Sequence, residues 1–92
     1  MSIEVDLLWV QGFLDKPKWK HLQCNKRGNS IAVFSMDEYG RWNRCRFTLI
    51  GRGQYALDFS NRNGKWDPTF FEGTVQELME MIAEKFPWIL TV

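Results

Sequence analysis

From Ile3 to Phe71, apolar side chains return at every second position in short runs, and Gly- and Asn-bearing turn signals separate the runs. Period two is the signature of a strand with one face buried, and several such runs joined by short turns suit an antiparallel meander. Ile3, Val5, Leu7 and Trp9 alternate with Glu4, Asp6, Leu8 and Val10, which predicts a first strand ended by Gly12 and Asp15-Lys16-Pro17. Trp19 to Cys24 reads as a second strand and Ser30 to Met36 as a third, joined by Lys26-Arg27-Gly28-Asn29. After Asp37-Glu38-Tyr39-Gly40, Trp42 to Ile50 alternates again, with Cys45, Phe47 and Leu49 opposed to Trp42, Arg44, Arg46 and Thr48. Gly51-Arg52-Gly53 permits a tight reversal into a fifth strand marked by Tyr55, Leu57 and Phe59. Asn63-Gly64 is the strongest local hairpin signal. It leads into a short sixth strand over Lys65 to Phe71, which Pro68 places at an edge or leaves irregular.

At Gly73 the period changes. Thr74 with Glu77 three residues later forms a capping box, and Val75, Leu78, Met79, Ile82, Ala83 and Phe86 then fall on one helical face. Pro87 stops this helix, and the apolar tail Trp88 to Val92 has the composition of a returning strand. The expected fold is therefore α+β. An antiparallel meander of about five to six strands, an open sheet or partial barrel, precedes one C-terminal amphipathic helix. Residues 1–92 show no linker, repeat or low-complexity tract and read as a single domain.

Glu4 and Asp6 interrupt the first apolar stretch, which argues against a secretory signal, and no apolar run reaches bilayer length. A soluble, cytoplasmic chain is expected, with Cys24 and Cys45 as reduced thiols unless their strands pair. Fourteen aromatic residues, five of them Trp, supply the buried area that a small domain needs. Rings of this kind also favour interfaces.

The net charge of +1 hides a segregation along the chain. Residues 16–65 hold eleven of the twelve Lys and Arg but only Asp37, Glu38 and Asp58, a local net of +8 between acidic ends. Clustered charge of one sign raises the local concentration of the other, so an acidic partner is expected. The sharpest candidate site is the Trp42–Arg44–Arg46–Thr48 face, extended by Lys18 and Lys20 and by Arg52 and Arg62 in the turns. Guanidinium beside an exposed ring suits carboxylate or phosphate. The competing reading is a solvated sheet face on which each Arg pairs with a cross-strand acid.

His21 is the only histidine, has no zinc-type Cys/His spacing around it, and would face away from Cys24 on a strand. Asp58, Asp67 and Glu72 are the remaining carboxylate candidates, one in a strand and two near turns. No nucleotide-phosphate loop is present, and neither metal nor cofactor is expected. The leading expectation is a small non-enzymatic binding protein of adaptor, inhibitor or immunity type, whose partner is an acidic protein. The alternatives are a binder of single-stranded DNA or RNA, and a small enzyme or ligand binder without a local motif. The acidic outer face of the helix, Glu77, Glu80 and Glu84, adds the expectation of weak head-to-tail self-association.

Overall fold

A computed structural model describes residues 3–91. The N-terminal run is a helix, α1 (Ile3–Leu14), where a strand is expected from the alternation. Its apolar residues lie on all sides, so they satisfy a period of 2 and one of 3.6 alike, and length then favours the helix. On this helix Asp6, Val10 and Leu14 are the buried residues, at four-residue spacing, and Val5 and Leu8 are exposed. A single 3-10 turn, Pro17–Trp19, replaces the start of the expected second strand.

Five strands follow: β1 (Leu22–Arg27), β2 (Ser30–Asp37), β3 (Gly40–Gly51), β4 (Gln54–Ser60) and β5 (Trp66–Gly73). They pair in sequence order as an open antiparallel meander, β1-β2-β3-β4-β5. Asn61 Oδ1 accepts from the backbone N–H groups of Asn63 and Lys65, and Gly64 takes φ +75°, which closes the β4–β5 turn as the Asn-Gly pair predicts. The second helix, α2 (Val75–Lys85), begins at the expected capping box. Glu77 N–H donates to Thr74 Oγ1 and Thr74 N–H to Glu77 Oε1. The tail forms a second 3-10 turn, Pro87–Ile89, where a strand is expected, and Val92 lies outside the described residues.

Both helices cover the same sheet face, α1 against β1 and α2 against β4 and β5. Ile31, Val33, Cys45, Phe47, Tyr55 and Leu57 point into this layer from the sheet and meet Val10, Leu78, Met79 and Ile82 from the helices. Each large side chain fully buried here stabilises by about 1.5–3 kcal/mol relative to its exposed state. Cys24 and Cys45 both lie across from Val33, one on each side of β2, so their strands are not neighbours. Two strand spacings, roughly 9–10 Å, exceed what a disulfide spans, and both thiols are free.

Candidate functional site

The expected basic-aromatic face does not exist as one surface. Opposite Val33 and Phe34 the register jumps from Cys45 to Asn43, which leaves Arg44 as the extra residue of a bulge. The bulge turns Arg44 to the helix-covered side with Cys45, and Trp42 follows it, across from Ser35. Arg46 and Thr48 stay on the uncovered side, across from Ala32 and Ser30.

Arg44 is occupied within the fold. Its Nε and Nη2 donate to Ser35 Oγ at 3.3 and 3.0 Å, and Nη1 donates to the carbonyls of Ile89 and Thr91. His21 donates from Nε2 to the intervening Leu90 carbonyl at 2.7 Å. Two side chains thus hold three successive carbonyls of the C-terminal segment. Burial lowers the Arg44 pKa from its ordinary value, against a smaller opposing effect of Cys45. Trp42 Nε1 donates to Asp37 Oδ2 at 2.8 Å, and its ring borders a shallow pocket of about 360 Å³ with His21 and Arg44.

On the uncovered face Arg46 and Arg41 are each paired and seated on a ring. Arg46 donates from Nε and Nη2 to Asp58 Oδ2 at 3.1 and 2.8 Å and lies 4.8 Å from the Trp66 ring centre. Arg41 sits 3.8 Å over Phe34 and donates from Nε to Asn43 Oδ1. These are the cross-strand pairings of a solvated sheet face.

The other expected contacts are dispersed. Lys18 lies 4.4 Å over Trp19, which stacks on Phe13, and Lys20 is exposed at the end of the first 3-10 turn. Arg52 occupies the β3–β4 turn and Arg62 the β4–β5 turn, and successive turns of a meander lie at opposite ends of the sheet. The charge that is segregated in sequence is therefore spread over several sides of the molecule.

A different surface is concentrated. Strand β5 leaves its register between Ala56↔Glu72 and Asp58↔Pro68, so that Thr69, Phe70 and Phe71 stand opposite Leu57 alone. Thr69 Oγ1 donates to the Leu57 carbonyl at 2.7 Å and accepts from Phe71 N–H, which holds the bulge in place. At its apex Phe70 takes φ +66°, among described residues the only positive φ outside glycine, with 87% of its surface exposed. Next to it in the chain, Phe71 meets Phe86 at 6.0 Å between ring centres, and Phe86 meets Trp88 at 5.5 Å and Phe59 at 5.4 Å. Phe71 and Trp88 are 42% and 62% exposed. In the sequence the helix stripe ends on Phe86, and Trp88 stands just beyond Pro87 in the apolar tail. Phe70 and Phe71 are missed, because alternation assigns one of any two neighbours to the core, and a three-residue bulge breaks that rule.

The remaining candidate polar groups do not gather into a site. Tyr55 donates to buried Asp6 at 2.6 Å, and Asp67 accepts from Asn61 Nδ2. Asp58 is engaged by Arg46, while Glu72 stands on the edge strand across from Ala56, so the three candidate carboxylates form no common site. Burial pushes the Cys24 thiol up to about 11 and the Cys45 thiol further, which leaves both poor nucleophiles at neutral pH. Among the described residues no group of three or more His, Cys, Asp or Glu is placed to hold a metal, and no helix is long and apolar enough to cross a membrane. Searches of protein-family models, curated proteins and solved structures each return no match.

Proposed function

We propose that this chain is a small non-enzymatic binding module that docks another protein through Phe70, Phe71 and Trp88. One observation carries the reading: a large ring stands almost fully in solvent on a backbone conformation that costs about 1–3 kcal/mol for a non-glycine residue. In the isolated domain that arrangement brings no burial in return. Against a partner, an aromatic anchor already fixed by a bulge gives contact area with little further loss of side-chain freedom. Asp67 and Glu72 on β5 and Glu80 and Glu84 on α2 outnumber Lys85 around these elements, so the complementary surface is apolar with a basic rim. The acidic partner expected from sequence has less support at this surface, because Arg44 and Arg46 are engaged internally. Single-strand nucleic-acid binding has less support too, since Phe34 and Trp66 already carry guanidinium groups over their faces.

The test compares baits in lysate of the cell that makes the chain. Wild type, Phe70→Gly, Trp88→Ala and Arg46→Ala are each immobilised, and retained proteins are quantified. A species held by wild type and Arg46→Ala, and lost about tenfold or more with Phe70→Gly and Trp88→Ala, supports the reading. A species held equally by all four baits, or none held by any, sinks it.

A further inference from the structure

The open sheet has two edges of different design. Strand β5 is closed to further pairing by Pro68, which has no N–H, and by the Thr69–Phe71 bulge. Strand β1 is regular: all six of its residues pair with β2 in one unbroken register, from Leu22↔Ser35 to Arg27↔Ser30. It contains neither proline nor bulge. In such an edge strand alternate residues present N–H and C=O outward. Among the described residues, no hydrogen bond from outside the sheet occupies the backbone of Gln23, Cys24 or Asn25.

Beside this edge runs a groove of about 620 Å³, walled by the last turn of α1 and the Lys16–Trp19 segment. Leu14, Trp19, Leu22 and half-buried Cys24 give it apolar lining. Its rim is basic. Lys16 and Lys20 line it, and Lys26 follows along β1, against Asp15 and the Glu4 that bonds Lys26 at 3.0 Å. Lys16 is held in place at 4.7 Å over the Phe13 ring and 5.4 Å from that of Trp19.

We infer that this edge is a second binding site, which takes an extended acidic segment of another protein as a sixth strand. Main-chain hydrogen bonds to β1 supply affinity, and alternate side chains supply selectivity. The added strand directs apolar side chains into the groove and carries Asp or Glu toward the lysine rim. This site is separate from the aromatic surface and does not depend on it.

The probe is a capped seven-residue peptide of Val alternating with Glu, and its control replaces each Glu by Lys. Both are titrated into the ¹⁵N-labelled full chain. The inference expects saturable shifts for the acidic peptide at residues 16–20 and 22–27, slowed amide exchange along β1, and weaker binding at higher salt. Lys16→Glu with Lys20→Glu, both exposed, weakens binding by roughly tenfold with the rest of the spectrum unchanged. Phe70→Gly binds the peptide like wild type, so this site and the aromatic one fail or survive separately. No binding, equal binding of both peptides, or shifts confined to β5 and α2 would overturn the inference. So would β1 amides already protected without peptide in a chain that sediments as a dimer, since a second copy would then be the occupant.

Discussion

Tyr55 donates its phenolic hydrogen to Oδ2 of Asp6 at 2.6 Å, across forty-nine positions of sequence, and so joins the middle of the sheet to α1. Tyr55 is fully buried and Asp6 is 8% exposed. Tyr55→Phe leaves the carboxylate without this donor, and a loss of about 1–3 kcal/mol in urea unfolding is expected. Burial raises the phenol pKa well above its ordinary value, and the bond to Asp6 and the charges of Asp6 and Glu4 raise it further. The folded chain therefore keeps a proton that the unfolded chain releases above about pH 10. This stabilisation is complete below that pH and declines above it. Tyr55→Phe removes that share of the alkaline decline, and stability measured from pH 8 to 11 in both proteins checks it.

Arg44 has the composition of a binding residue and the contacts of a structural one. Arg44→Ala is expected to cost about 1–3 kcal/mol, since Ser35 and two carbonyls lose a charged donor. Amide exchange over residues 87–91 should accelerate. Unchanged exchange there would show that the tail is held by something other than this guanidinium.

Phe70→Gly separates stability from binding. Glycine accepts φ +66° freely, and almost no buried area is lost, so thermal unfolding should occur at an equal or higher temperature, with a gain of up to about 1 kcal/mol. Clear destabilisation would mean that the ring supports the fold, contrary to the exposure seen here.

Glu77 carries an acid dependence. Hydrogen bonds from the Thr74 backbone, and then its side chain, hold the Glu77 pKa below its ordinary value. Its contribution is present above the unfolded carboxylate range, about pH 4.3, and is lost as pH falls through the folded value. Glu77→Gln keeps an acceptor but does not titrate. The stability gap between wild type and Glu77→Gln should therefore narrow from pH 6 to pH 3, which acid and urea titrations of both would reveal.

The sheet and α2 were legible because each is specified locally. The Asn63-Gly64 turn, the Thr74–Glu77 box and the apolar alternation of β2, β3 and β4 need no distant residue to be read. Helix α1 was not, because a run with apolar residues on every side carries two periods, and the orientation that buries Asp6 with Val10 and Leu14 depends on distant partners such as Tyr55. The basic-aromatic face failed for a smaller reason. One extra residue, Arg44, reverses every side chain on one side of it relative to the other, and nothing at Asn43-Arg44-Cys45 announces the bulge. The exposed aromatic surface was only partly legible, since the α2 stripe runs to Phe86 with Trp88 just beyond Pro87, while the β5 bulge leaves no alternating trace.

The meander also sets an order of assembly. Every strand pairs only with its neighbour in the chain, so the sheet can grow one hairpin at a time, each step closing a short loop. Helix α1 has no such neighbour for its buried acid and must wait until β4 presents Tyr55. Refolding should therefore show protection of β2, β3 and β4 amides before those of α1, with the N-terminal helix as the last piece to dock and the first to detach.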